Sequence, residues 1–516
     1  MVRRPAEAGV AGSPGVAGPR LGAVLPGLML AMFLGALDQT IMAPALPAVA
    51  ADLGGIEQMP AVVTGYLVAA TVVMPLYGKL GDLFGRKPVM QVAIGIFVLG
   101  AVGCAFATSM PTLVAARVVQ GVGGGGLMIG AQAIIGEIVS PRERGRVLGI
   151  IGGAYVVAAV AGPLVGGFFV DQLTWRWIFW LYPGIGVLAL LTVTATLHLP
   201  RPSHRPRVDY GGAAALALAV VGLVLLTDAA GRSDRPGWLF AVLAVATAAG
   251  IVGWLVSARV AAEPIVPLHL FRDRAFAIPV AVSFLLGFAL FGAVSYVPAF
   301  LQIALGTSAT TAGLLVTALM AGVLVTMTGS GRLITRYGKY KPFPVVGTAV
   351  ATAGLGMLAL LHAGSSRWYA AVAMLVLGLG VGLVMQVMVL AVQNTVAYQY
   401  LGAATSTVTF LRQIGSSVGV AAVGALITSR FADRVPAATM RRLGDGGLSP
   451  KAIDRLPTGL REVVSDAFGA AVPPVFGYVA PLMAVAFLLT LLLPARPLRT
   501  TAHVDSKEAK EAERHD

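Results

Sequence analysis

Charge is what this sequence lacks most. Asp, Glu, Lys and Arg make up 12% of its 516 residues, against 57% hydrophobic residues and a mean hydropathy of +0.84. Soluble domains carry about 25% charged residues, so this chain cannot clothe a water-facing surface and reads as an integral membrane protein. It has one cysteine, Cys104, which excludes an internal disulfide and a thiolate metal site. Its six histidines (His198, His204, His269, His362, His503, His515) fall at segment ends, in loops or in the tail, and no two share a ligand spacing. No cofactor or metal is therefore expected. A membrane-bound enzyme, which needs converging His, Asp, Ser or Cys at one face, is disfavoured. There is no G-x-x-x-x-G-K-[ST], hence no P-loop for ATP drive. "GGGG" at 123–126 lies inside an apolar run, not between strand and helix, so it is no phosphate cradle.

Long apolar runs are what the chain has instead. They fall near 22–47, 61–79, 89–108, 112–135, 146–170, 177–199, 211–229, 237–257, 276–303, 312–332, 343–362, 369–391, 402–428 and 475–495. Lipid offers no partner to an open backbone, so all fourteen are expected to be helices, an all-α membrane fold. "PAVAAD" at 47–52 resembles a signal cleavage site, but the run before it is about twice a normal h-region and Asp38 interrupts it. An even number of spans puts both termini on one side. If that side is cytoplasmic, the inner segments hold Arg3, Arg4, Arg20, Lys79, Arg86, Lys87, Arg142, Arg144, Arg146, Arg201, Arg205, Arg207, Arg259, Arg272, Arg274, Arg332, Arg336, Lys339 and Lys341. The short outer segments hold only Arg176, Arg232, Arg235 and Arg367. This positive-inside bias places both termini in the cytoplasm of a cell bounded by this membrane, and it accounts for the net charge of +14 without nucleic acid.

A repeat divides the chain. "GKLGDLFGRK" at 78–87 aligns with "GRLITRYGKY" at 331–340, pairing Gly78 with Gly331, Leu80 with Leu333, Phe84 with Tyr337 and Gly85 with Gly338. The two segments follow spans 2 and 10. Spans 1–6 and 9–14 are then two pseudo-symmetric six-helix halves and spans 7–8 an inserted pair, an arrangement used by secondary transporters. The expected organisation is a disordered cytoplasmic segment at 1–20 and a bundle at 21–200. An inserted linker at 201–258 follows, then a second bundle at 259–496 with an extracytoplasmic loop at 429–474, and a cytoplasmic tail at 497–516. Gly, Pro and scattered apolar residues in 429–474 point to a short helix and turns at the membrane surface.

Several ordered motifs together resemble the major facilitator superfamily, specifically its fourteen-helix drug:proton antiporter branch. They are "GKLGDLFGRKP" (78–88), "RVVQGVGGGG" (117–126), "GGAYVVAAVAGPLVGG" (152–167), "LDQTIMAPALP" (37–47), "WRWIF" (175–179) and "EPIVPLHLFRDRAF" (263–276). The resemblance implies export of a substrate driven by inward proton flow. It implies a cytoplasmic gate at Gly78, Gly81, Asp82, Gly85, Arg86 and Lys87. It also implies an antiporter motif at Gly153, Gly162, Pro163, Gly166 and Gly167, whose bend seals the cavity against proton leak. The residues themselves agree in part: glycines allow tight helix ends, and Asp82 can accept from free N–H groups of a neighbouring helix end or pair with Arg86. Small residues spaced by four, such as Ala158, Gly162 and Gly166, make a smooth face for a neighbour, which ordinary packing would also use.

Charges inside the spans are few: Arg117 in span 4, Arg412 in span 13 and, well inside, a single acid, Asp38. Counted from Pro47 and Pro111 at 1.5 Å per residue, Asp38 and Arg117 lie about 13 Å and about 9 Å below the outer ends of their helices, within one turn of each other. Gln120 shares the face of Arg117. Burial raises a carboxyl pKa and a nearby guanidinium lowers it, so a helix motion that changes either moves a proton on or off Asp38. A permanent structural ion pair is the alternative. Candidate cavity residues are Met32, Phe33, Tyr66, Tyr155, Phe284, Phe288, Tyr296, Gln386, Gln393 and Arg412, since aromatic and sulfur-rich walls suit varied ligands. Two departures from the branch stand out: no acid in spans 10 or 13, and Tyr182 where an Asn is usual. A cavity with one acid suits neutral or monocationic amphiphiles over dications. The expected partners are a small amphiphilic substrate, protons and the bilayer, with the chain acting as a monomer. A dedicated exporter of one endogenous metabolite, antibiotic or lipid would carry the same motifs, and an importer is disfavoured only by the fifth-span signature.

Overall fold

Prolines and small polar caps decide where the helices begin. The computed structural model describes residues 21–42, 44–54, 58–199, 207–230, 236–435 and 457–499. Among the described residues, fourteen helices are long and apolar enough to cross a membrane. They are α1 (Leu21–Ile41), α2 (Met59–Phe84), α3 (Arg86–Ala105), α4 (Met110–Ile138), α5 (Pro141–Gln172), α6 (Arg176–Thr196) and α7 (Tyr210–Ala230). The rest are α8 (Gly237–Val260), α9 (Arg274–Val294), α10 (Ala309–Tyr337), α11 (Pro342–Ala359), α12 (Arg367–Thr395), α13 (Leu401–Ala432) and α14 (Pro473–Leu491). Ser109 opens α4 with a reciprocal capping box to Thr112, and Ser140 followed by Pro141 opens α5. No strand occurs among the described residues. The expected disordered segment 1–20, the centre of the 429–474 loop and nearly all of the tail lie outside the described residues. Of that loop the structure describes an amphipathic helix, Thr458–Ala471, leading into α14.

Helices α1 to α6 pack on one another, as do α9 to α14. The two groups meet chiefly along α2 with α13 and along α5 with α10, while α7 and α8 pair and rest on the α2–α13 seam. Within lipid there is little hydrophobic gain from helix association, so close backbone approach must come from small residues. The aligned glycines of the repeat supply it. A Cβ on Gly78 would sit 2.6 Å from Ser406 Cβ, and one on Gly331 would sit 2.9 Å from the Gly145 carbonyl carbon. Gly85 and Gly338 both hold positive φ, +93° and +69°, where a side chain is strained. The repeat read from sequence is therefore a repeat of backbone geometry.

One boundary differs in a telling way. The segment 78–88 reads as a loop after an apolar run ending at 79. In the structure α2 continues to Phe84 and α3 begins at Arg86, so the turn is Gly85 alone. The polar residues that end the apolar run are buried between the halves, not in water, and the helix continues through them. The C-terminal end of the described chain emerges at this same face: Arg142 N–H donates to the Arg499 carbonyl (3.2 Å) and Asn394 Nδ2 to the Pro497 carbonyl (3.2 Å). At the opposite face Arg176 and Trp175 bind Asp52 (2.6 and 3.1 Å), and their hydrogen bonds hold its carboxyl below the usual range.

Candidate functional site

The glycine run of α4 seats the buried charges. A Cβ on Gly123 would lie 2.6 Å from Phe97 Cα of α3, and one on Gly121 would lie 3.0 Å from Tyr66 Cα of α2. Helix α4 is thus wedged between two neighbours, and its upstream turns face α1. There Arg117 Nη1 donates to both Asp38 oxygens at 2.7 and 2.8 Å and to Gln120 Oε1 at 2.9 Å. Gln120 Nε2 donates to Asp38 Oδ1 at 3.0 Å, Arg117 Nε reaches the Val62 carbonyl at 3.3 Å, and the guanidinium stacks 4.4 Å from the Tyr66 ring centre. Asp38 and Gln120 have no exposure and Arg117 has 1%. Depth counting brought these three residues together, and the structure places them in one network.

A second cluster joins the halves at the face where the C-terminal segment emerges. Asp82 accepts from the Gly402 and Ala403 backbone N–H groups at the start of α13 (both 2.8 Å) and from Arg86 Nη2 (2.9 Å). Arg86 also pairs with Glu137 of α4 (2.9 Å) and donates to the Ala133 carbonyl, while Tyr398 donates to Glu137. Lys79 pairs with Glu263, just after the inserted helices (2.9 Å). Lys87 stands apart: its Nζ binds the Thr194 carbonyl of α6 (2.8 Å), within its own half. Gly81 packs on Arg86. A carboxylate accepting two backbone N–H groups across the seam forms charge-assisted bonds worth about 1.5–3 kcal/mol each. Asp82→Asn loses the charge and turns an N–H₂ toward one of those donors. We expect it to open this face: a cysteine introduced on the α13 start should label at least fivefold faster than in the Asp82 parent. Cys104 is buried and gives little background.

Between the halves lies a cavity of about 740 Å³. Its wall from α5 (152–164), α9 and its extension (286–298) and α10 (313–327) is formed by the parts of those helices far from the Asp82 latch. The cavity therefore occupies the opposite end of the seam from the Asp82 cluster, which itself borders a second cavity of about 570 Å³. Of the residues proposed from sequence, Met32, Tyr155, Gln386 and Arg412 line it. Phe33 packs against the core of the bundle. Tyr66 lies under Arg117. Phe284 and Phe288 pass their backbones against Gly415 and Gly419, and Tyr296 donates to the Val420 carbonyl (3.1 Å). Gln393 donates to the Gln132 carbonyl (3.1 Å) and Thr405 (2.9 Å). Asp38 does not line the cavity either, so the acid expected there is absent from the wall.

Pro163 lines the cavity, within an α5 that runs unbroken to Gln172. Gly162 and Gly166 receive the end of α1: a Cβ on the first would be 2.9 Å from Thr40 Cβ, and on the second 3.1 Å from Ile41 Cγ1. Gly153 faces Leu324 of α10, and nothing lies within 4 Å of a Cβ on Gly167.

Residues 28–420 match the Major Facilitator Superfamily. The chain belongs to this superfamily. It is a multi-pass membrane transporter of small molecules and not an enzyme. It is 36% identical over 509 residues to an uncharacterized MFS-type transporter of Mycobacterium tuberculosis (strain CDC 1551 / Oshkosh), covering 96% of this chain and 73% of that one. It is 32% identical to the multidrug transporter protein MdtP of Bacillus subtilis (strain 168), covering 79% and 75%. Among solved structures, the proton:xylose symporter XylE superposes with a TM-score of 0.61 over 94% of this chain and 98% of that one, at 14% identity, a likeness of fold.

Within this superfamily scaffold, several site residues escaped sequence reasoning. Glu137, Glu263 and Tyr398 of the latch sit at span ends, where an acid or tyrosine passes for a solvated terminus. The α10 wall (Val316, Thr317, Leu319, Met320, Val323, Met327) carries no aromatic to mark it. A usable signal was the Gly331 crossing, which sets α10 against α5.

Proposed function

We propose that this transporter is a proton-coupled antiporter. It exports amphiphilic drugs or toxic small molecules across the cytoplasmic membrane by alternating access, as a monomer with both termini in the cytoplasm. The bodies that rock are residues 21–200 and 259–496, joined by the 201–258 linker. The observation that carries the reading is Asp38, an acid wholly buried among hydrocarbon-facing helices and ion-paired to Arg117. Such acids are costly in a membrane and mark coupling sites by default. Asp38 shares α1 with Met32 and Thr40 of the cavity wall, so a tilt of α1 that reshapes the cavity also moves the carboxylate relative to Arg117. The Asp82 latch is the element that must break and re-form in each cycle. With the cationic face inside, the described conformation is open outward. Relatives bearing multidrug names, MdtP and the multidrug resistance protein 3 of Bacillus subtilis (strain 168), support the direction of transport and the substrate range. Dedicated export of one endogenous metabolite, antibiotic or lipid is the narrower variant.

A substrate screen in inverted vesicles tests this reading. Imposing a proton gradient, acid inside, should raise accumulation of several unrelated amphiphiles at least tenfold, and a protonophore should abolish the rise. Accumulation that ignores the gradient would refute proton coupling, and a response to a single compound would select the narrower variant.

A further inference from the structure

The cavity contains one ionised side chain, and it is a base. Arg412 enters the wall from the middle of α13, is 6% exposed, and leaves Nη1 without a hydrogen-bond partner. Among the described residues no carboxylate stands within ion-pair distance of it. The buried acid Asp38 spends its charge on Arg117 and does not line the cavity. Gln386 reaches the same cavity from α12, and its side-chain oxygen is likewise unpartnered, so the amide is free to present either end to a ligand. Tyr155 lines the cavity within electrostatic reach of Arg412, its hydroxyl donating to Gln39 Oε1 at 3.5 Å. Apart from Thr40, Gln132 and Thr317, the remaining wall is apolar and rich in sulfur. An unpaired guanidinium in a low-dielectric wall is incomplete, and an anionic oxygen group supplies the charge-assisted acceptor that it lacks.

We infer that the cavity selects amphiphiles bearing one anionic oxygen group, a carboxylate, sulfonate or phenolate. That group docks on Arg412 while the apolar body lies against the methionine-rich wall. Organic cations are repelled by the same charge. The inference builds on the exporter reading for its transport arm only; selection by charge is a property of binding.

The test uses two probes with a common body and opposite fixed charge, naphthalene-2-sulfonate and 2-naphthyltrimethylammonium. Binding to the full chain in nanodiscs is followed by calorimetry against empty nanodiscs. The wild type should bind the sulfonate at least tenfold tighter than the ammonium. Arg412→Gln should weaken the sulfonate at least tenfold and leave the ammonium unchanged or tighter, and Arg412→Lys should restore part of the sulfonate affinity. Equal or tighter binding of the ammonium by the wild type overturns the inference, and that comparison needs no variant to fold. Sulfonate affinity unchanged in Arg412→Gln overturns it as well. If the ammonium is bound and exported under a proton gradient, the exporter reading stands and the charge inference falls. If the sulfonate binds through Arg412 but no compound moves with the gradient, the outcome is reversed.

Discussion

Asp38→Asn removes proton-driven export by at least a hundredfold while the protein still reaches the membrane. Of the three residues in this network, the carboxylate is the one that can exchange a proton during a transport cycle. Arg117 cannot release its proton in practice, and Gln120 does not titrate. Replacing Asp38 by Asn keeps the side-chain volume and one acceptor for Arg117, so the helix α1–α4 contact survives in outline. Breaking a buried pair leaves an uncompensated charge, at about 3–5 kcal/mol. Some loss of stability is therefore expected, and a membrane-insertion and thermal-melt control accompanies the assay. The two roles separate in the readout. If Asp38 carries the proton, the variant should still equilibrate substrate down its own gradient in liposomes yet ignore an imposed pH gradient. If the pair is a structural clasp only, downhill and proton-driven transport should fall together.

Gly78→Val arrests the cycle from the other side. A Cβ at residue 78 overlaps Ser406 Cβ at 2.6 Å and the Gly402 carbonyl oxygen at 2.5 Å. Backbone atoms yield only if a whole helix moves, so the α2–α13 crossing must open, with the Asp82 bonds to Gly402 and Ala403 lying beside it. Overpacking of this kind costs about 1–3 kcal/mol, and it falls on the latched state alone. The population should shift by roughly ten- to a hundredfold toward the state with this face open, and export should drop by about as much. Reporter cysteines at the α13 start should become accessible. Gly95→Val is the control, because nothing lies within 4 Å of a Cβ there and its transport should match the parent.

The fourteen spans were legible because lipid leaves a helix no alternative, and the repeat because glycines at crossings are fixed by sterics. The Asp38–Arg117–Gln120 network was legible for a related reason: charges are so rare in these spans that depth alone nearly pairs them. The latch was half legible. Asp82 among three glycines stood out, but its partners are backbone N–H groups of a helix more than three hundred residues away, which carry no residue-type signature. The cavity was least legible. Aromatic and sulfur content marks a wall only after the helix faces are known, so Phe284, Phe288 and Tyr296 were spent on helix packing, whereas Met320 and Met327 were not foreseen. The charge of the cavity also inverted, since the acid lies behind the wall and the arginine lies in it.

The most direct measurement follows protons on the purified transporter itself. In weakly buffered detergent solution with a pH indicator, a saturating pulse of a transported substrate should release protons from the wild type. The same pulse should release none from Asp38→Asn that still binds the substrate. Equal release from the two proteins would contradict the account, because the proton would then reside on some other group.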